Sequence, residues 1–160
     1  MMPISTERVQ RLSHLALLLT ALLFAGACLS TSPALAARRV MVKDKANIRS
    51  GPGLKNDVLW TAFKYYPLEV IGEQDQWLKV RDFEGDEGWV ALSLVEEQQA
   101  VVVKVALANI RSSPAATSKV AFQAKKGVAF KVLGAQGDWL NVEHADGEKG
   151  WVHSSIVWGR

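Results

Sequence analysis

Ala46-Asn47-Ile48-Arg49-Ser50 is written a second time as Ala108-Asn109-Ile110-Arg111-Ser112, 62 residues further on. The same offset carries Pro52 onto Pro114, Val58 onto Val120, Val70 onto Val132 and Gly72 onto Gly134. It continues through Trp77-Leu78 and Trp139-Leu140, Val80 and Val142, and Gly85 and Gly147, and ends on Gly88-Trp89-Val90 and Gly150-Trp151-Val152. The register holds without a gap over that whole length, which marks an internal duplication. One unit is read as residues 40–96 and the other as 101–160, with Glu96-Glu97-Gln98-Gln99 as a linker too short for independent tumbling.

Each unit reads as short strands. Leu68-Glu69-Val70 and its partner Phe130-Lys131-Val132 alternate apolar and polar residues, as do Leu78-Lys79-Val80-Arg81 and Leu140-Asn141-Val142-Glu143. This period of two places Leu and Val inward. No stretch past the leader sustains a period near 3.6. Asp146-Gly147 is predicted as a type I′ hairpin turn, because Asp and Gly tolerate positive φ, with Glu84-Gly85 as its weaker counterpart. The expectation is all-β: two tandem small barrels of five or six strands each. One helical turn is expected at Ser93-Leu94-Val95 and another at Ser155-Ile156-Val157. Units of this size form marginal cores, and large aromatic rings help to fill them. Trp77, Trp89, Trp139 and Trp151 recur in register and are therefore assigned to the shared fold.

The first 36 residues read differently. Arg8 and Arg11 precede Leu15–Cys28, which is 14 residues without a charge. That is the length of a signal-peptide core and short of the roughly 20 residues that span a bilayer as a helix. Ala34-Leu35-Ala36 then presents small residues at both ends, so a cleavable signal helix over 1–36 is expected, cut between Ala36 and Ala37. A rival route is lipidation at Cys28, after Ala25-Gly26-Ala27. Arg38 and Arg39 just beyond the cut are mildly unfavourable for export. After cleavage no membrane-spanning segment is expected. Cys28 is the lone cysteine, which excludes an internal disulfide. The remaining charge is unevenly spread, with residues 42–97 at net −4 and residues 98–160 at net +4. These opposite signs could dock the two units on each other or give two faces to different partners.

Asn47-Ile48-Arg49-Ser50-Gly51-Pro52-Gly53, then Gln76-Trp77-Leu78-Lys79-Val80, then Gly88-Trp89-Val90, resembles the bacterial SH3-like (SH3b) domain. The second unit carries the same landmarks from Asn109 to Val152, except that Ser113-Pro114-Ala115 replaces Gly51-Pro52-Gly53. The resemblance implies a small β-barrel of the bacterial cell envelope. Such domains are often fused to enzymes that cut peptidoglycan, where they hold the catalytic domain on the wall.

The residues themselves offer little catalytic chemistry. His144, His153 and Asp146 could supply three metal ligands only through a favourable fold, and no metal site or cofactor is expected. Asp82, Glu84, Asp86 and Glu87 read as a solvated hairpin rather than a calcium loop. With no nucleophile–base arrangement in view, and nothing after the two repeats to be catalytic, the chain is expected not to be an enzyme. Nucleic-acid binding is not expected either. Differences between the repeats are more informative. Trp60, Tyr65, Tyr66 and Phe83 of the first repeat correspond to Phe122, Gly127, Val128 and Ala145 of the second. Aromatic residues that one copy does without suit a ligand patch. Packing against the other repeat accounts for them equally well, and Trp60 leans to the core because Phe122 keeps its site aromatic. The expected function is an exported, non-catalytic module of the periplasm or cell envelope that binds peptidoglycan or its peptide stems. The alternative is an adaptor that presents the repeats to an envelope protein.

Overall fold

Inward Leu, Val and Ile at every second position set the strands, and the glycines at turns and crossings close them into sheets. The computed structural model describes residues 39–160. The signal segment, the Ala36–Ala37 cut and the Cys28 lipidation site lie outside the described residues. The first repeat contains β1 (Arg39–Val42), β2 (Lys45–Arg49), β3 (Val58–Phe63), β4 (Pro67–Gln74), β5 (Trp77–Arg81), β6 (Glu87–Ala91) and β7 (Val95–Glu96). The second contains β8 (Ala100–Val103), β9 (Leu107–Arg111), β10 (Val120–Lys125), β11 (Ala129–Gln136), β12 (Trp139–Glu143), β13 (Lys149–His153) and β14 (Val157–Trp158). Each repeat therefore has seven strands rather than five or six. The difference includes the two-residue β7 and β14, too short to show alternation.

Every strand pair is antiparallel, in the orders β3-β2-β6-β5-β4-β1-β7 and β10-β9-β13-β12-β11-β8-β14. The duplication extends to the irregularities. A bulge at Leu59, where Ile48 faces Trp60 and Arg49 faces Val58, recurs at Ala121. A second, between Val70 and Gly72, recurs between Val132 and Gly134. Bulges bend the strand that carries them and help a sheet to curl on itself. Short 3-10 turns at Leu92–Leu94 and Ser154–Ile156 lie one residue earlier than the expected helical turns.

The β12–β13 connection is not a two-residue type I′ turn. It spans residues 144–148, and only Gly147 has positive φ (96°), as Gly85 does (95°) in the first repeat. Carboxylates replace the missing turn chemistry. Asp82 Oδ1 accepts the backbone N–H of Glu84 (2.8 Å) and of Asp86 (3.0 Å), and Asp146 Oδ1 accepts that of Glu148 (3.0 Å).

The first core gathers Val40, Val42, Ile48, Leu68, Leu78, Val80 and Val90, and the second gathers Val101, Val103, Ile110, Phe130, Leu140, Val142 and Val152. The four recurrent tryptophans are only half-buried and belong to neither cluster. Strand alternation turns them outward, because Leu78, Val90, Leu140 and Val152 occupy the adjoining inward positions.

Both repeats lie in one compact unit. β8 explains how they join. Its four residues, Ala100-Val101-Val102-Val103, are all buried. Val101 and Val103 enter the second core, whereas Ala100 packs with Met41, Tyr65 and Ala129 between the repeats. An unbroken apolar strand is the mark of a strand covered on both faces. The seam continues at Gly159, where an added Cβ would lie 2.5 Å from Ala100 O and 2.8 Å from Pro67 Cβ. The Arg39 guanidinium lies 5.2 Å from the Trp158 ring centre and donates to Arg160 O, so the first described strand holds the C-terminal one.

Candidate functional site

Two equivalent grooves open on the outward faces, one per repeat. The first, of about 400 Å³, is lined by Asn47, Arg49 and Trp77; the second, of about 430 Å³, by Asn109, Arg111 and Trp139. The remaining walls are Lys45, Leu54, Ala91 and Leu94 in the first groove. Their 62-residue counterparts Leu107, Ala116, His153 and Ile156 stand in the second, with Val105 added. The Asn-Ile-Arg repeat thus has a spatial meaning. Strand alternation sends Ile48 and Ile110 into the cores and leaves the flanking Asn and Arg on the groove side.

Each polar member is held by the same device in both copies. Asn47 Oδ1 accepts from Thr61 Oγ1 (3.0 Å) and Asn109 Oδ1 from Gln123 Nε2 (2.8 Å), which engages each amide oxygen within its own sheet and makes the –NH2 the donor end of the side chain. Arg49 Nη1 donates to Asn56 O (2.8 Å) and Leu54 O (3.2 Å), and Arg111 Nη1 donates to Ser118 O (2.6 Å). The arginine therefore fixes the loop that forms the groove wall. That loop closes alike in both repeats despite the change from Gly51-Pro52-Gly53 to Ser113-Pro114-Ala115. Asn56 Nδ2 donates to Gly53 O (3.2 Å), and Ser118 Oγ donates to Ala115 O (2.9 Å). No carboxylate lines either groove. Cation, amide donor and indole together suit a ligand rich in carbonyl or carboxylate oxygens that also carries an apolar face.

A third concavity, of about 630 Å³, lies between the repeats, with Phe63, Lys64 and Tyr66 on one side and Val128, Ala129 and His144 on the other. It receives only part of the aromatic patch expected from the sequence. Tyr66 lines it, with the Phe83 ring 6.4 Å away. Tyr65 does not line it. It is 8% exposed, packs on Met41 and Ala100, and donates its hydroxyl to Glu143 Oε1 (3.3 Å). Phe83 lies under Lys126 Nζ (5.6 Å), which also pairs with Glu84 at 2.6 Å. Trp60 is half-buried against the first core, with its Nε1 buried and unpartnered. Packing against the second repeat thus takes Tyr65 and Phe83, and the opposite charges of the two halves meet at the Lys126–Glu84 pair. The histidines also separate. His144 Nδ1 lies 2.9 Å from Asp146 Oδ1 beside the cleft, whereas His153 packs edge-on to Trp139 (5.2 Å, 88°) in the second groove. Among the described residues no group of three His, Cys, Asp or Glu converges as a metal site. Sequence reasoning overlooked Asn47, Asn109 and the outward tryptophans. Their signal was recurrence at polar or outward strand positions.

Tyr66 has a titration consequence. Burial pushes its phenol well above the ordinary 10.0, and the Asp82 carboxylate, which accepts its O–H (3.3 Å), adds to the rise. The folded state holds this proton more tightly than the unfolded chain does. Its contribution is therefore complete below pH 10.0 and declines as pH rises beyond it. Tyr66→Phe is expected to lose about 1 kcal/mol at neutral pH with the hydrogen bond. It should also lose less stability than wild type between neutral pH and about pH 11. Urea unfolding at both pH values checks this; parallel losses would refute it.

The family model of the bacterial SH3 domain matches residues 42–97 and again residues 104–159. The chain belongs to the bacterial SH3 domain family. Among curated proteins, it is similar to YrvJ of Bacillus subtilis (strain 168), which is named as an N-acetylmuramoyl-L-alanine amidase. The identity is 24% over 154 residues, covering 88% of this chain and 30% of YrvJ. It is also similar to LytH of Staphylococcus epidermidis, named as a cell wall amidase, at 34% identity over 62 residues, covering 38% of this chain and 21% of LytH. The chain spans less than a third of the length of these relatives. Among solved structures, the chain is similar to NlpC1 from Trichomonas vaginalis (14% identity, TM-score 0.36, 81% of this chain and 48% of that one). Another is an NlpC/P60 family protein from Bacillus cereus ATCC 10987 (12% identity, TM-score 0.36, 75% and 55%). The amidase relatives correct the expectation that the chain is not an enzyme. That expectation rested on finding no nucleophile–base arrangement and nothing catalytic after the two repeats, whereas the amidase relatives extend well beyond the part that this chain matches.

Proposed function

We propose that this bacterial SH3 domain pair is an exported cell-envelope protein that binds peptidoglycan through its two equivalent grooves. The observation that carries this reading is the double occurrence of one Asn–Arg–Trp constellation, each copy braced by the same hydrogen bonds. Peptidoglycan offers what such a groove accepts: N-acetyl carbonyls, peptide carboxylates and the apolar faces of sugar rings. The names of YrvJ and LytH support the same compartment and polymer. The test is retention on purified sacculi at physiological salt. Asn47→Ala with Asn109→Ala is expected to weaken retention roughly tenfold, since each groove loses a hydrogen-bond donor. Equal retention of the variant, or none by wild type, would remove the reading. Following new amino groups in the same incubation reads amide hydrolysis directly.

A protein partner is the second reading, favoured by β3. This strand ends its sheet and exposes Val58, Leu59 and Phe63. The corresponding edge, β10, carries Ala121 and Lys125 in place of the last two. Lysine on an edge strand discourages pairing, and an apolar edge invites it. In-cell crosslinking from position 63 should capture a protein if this edge is used.

A further inference from the structure

We infer that the two grooves engage one repeating polymer together, as a clamp of fixed geometry, so that tight binding needs both grooves and a ligand with more than one unit. The inference rests on the reading that the grooves are the ligand-binding surfaces. Its own basis is the seam between the repeats.

Tandem modules on a loose tether sample many separations, and the second binding event then gains only what the tether's effective concentration allows. Here the tether is part of the fold. Gln98 N–H bonds to Glu96 O (3.1 Å), Gln99 O accepts from Val132 N (2.9 Å), and the next residue, Ala100, is already 1% exposed in β8. Beyond the linker, Tyr65 lies against Met41 and Ala100, Gly159 against Pro67, Lys126 against Glu84, and Arg39 against Trp158. These contacts are spread over both ends of the chain and the middle, so no single hinge frees one barrel from the other.

A fixed pair of like sites is poorly matched to a ligand present as single small units. A polymer that repeats the same chemistry supplies a second unit at some register along its length, and binding of the second groove adds affinity without any new contact type. The two grooves share their Asn, Arg and Trp, as one repeating ligand would require. Their differing rims, Lys45 against Leu107 and Ala91 against His153, would then read the two sides of neighbouring units.

The test uses the full chain, purified sacculi as the polymer, and a soluble disaccharide–peptide cut from the same sacculi as the single unit. Asn47→Ala with Trp77→Ala disables the first groove, and Asn109→Ala with Trp139→Ala disables the second. If a tryptophan variant fails to fold by circular dichroism, Asn47→Ala and Asn109→Ala alone serve, each then expected to weaken binding to sacculi only about threefold. Each single-groove variant is expected to bind sacculi on the order of a hundredfold more weakly than wild type. On the soluble unit, stoichiometry should fall from two to one while the remaining Kd stays within about twofold, because the surviving groove is untouched. Single-groove variants that keep the wild-type Kd on sacculi at half the capacity would overturn the clamp and leave two independent sites. Loss through one groove and none through the other would overturn it in favour of a single site. A variant with both grooves disabled that still binds like wild type would instead overturn the groove reading itself.

Discussion

Gly150→Ala is expected to lower the melting temperature by roughly 10–20 °C, from an overpacking cost of about 3 kcal/mol at a few degrees per kcal/mol. A Cβ at Gly150 would stand 2.6 Å from Ile110 Cγ2 and 2.9 Å from Arg111 O. Ile110 is fully buried, and Arg111 lies in β9, where it pairs with both β10 and β13. Neither neighbour can withdraw without breaking the core or the sheet. The first repeat repeats the geometry: at Gly88 the added atom would meet Ile48 Cγ2 at 2.5 Å and Arg49 O at 3.1 Å. This is the physical content of the Gly-Trp-Val landmark. The glycine lets one strand cross the end of the Asn-Ile-Arg strand, so it also places the groove's own arginine. Adding Ile110→Ala should rescue only part of the loss, because the carbonyl contact persists and the truncation leaves a cavity. Gly134→Ala is the control. Nothing lies within 4 Å of its added Cβ, and its melting temperature should stay near wild type. Equal melting temperatures for all of these proteins would refute the close-approach argument.

Tyr65→Ala is expected to remove about 3 kcal/mol of stability, close to what aromatic truncations in cores cost. The ring closes the cluster of Met41, Ala100 and Ala129, and its hydroxyl is one of the hydrogen bonds that cross from one repeat to the other. Glu143, whose carboxyl is held below its ordinary range first by Lys149 and in smaller part by Tyr65, keeps its lysine after the substitution. The loss is therefore chiefly one of packing. Backbone strain can be separated from it. Tyr65 sits at φ 69°, a left-handed conformation costly for any residue with a Cβ. Tyr65→Gly should thus be less destabilised than Tyr65→Ala by roughly 1 kcal/mol, although both lose the same ring. Chemical denaturation of the two variants beside wild type measures both effects. An unchanged midpoint for Tyr65→Ala would mean that the seam contributes nothing and would return this residue to the ligand patch.

The contrast between Tyr65 and Tyr66 shows why the aromatic surplus of the first repeat could not be sorted from sequence. Both are extra relative to Gly127 and Val128 of the second repeat, and they are adjacent in the chain. One is closed into the seam, and the other lines the cleft with its hydroxyl on Asp82. A cue existed in Ala100-Val101-Val102-Val103, whose unbroken apolarity says that both faces of that strand are covered. It does not say by what. Trp158 is a similar case. Its partner Arg39 is separated from it by almost the whole folded chain, so no local pattern connects them.

By itself the sequence determined the duplication, the all-β class, and the inward set of Leu, Val and Ile. The last two follow from a short-range rule: a period of two decides which side of its own sheet a residue faces. Tertiary structure alone decided what lies opposite each outward face. The outward side of Trp77 and Trp139 became a groove wall because loops and strands distant in sequence rise beside them, whereas the outward side of Met41 and Ala100 was sealed by the other repeat. Alternation carries no information about neighbours that arrive from elsewhere in the chain, and those neighbours closed one aromatic surface into the seam and left the other lining an open groove.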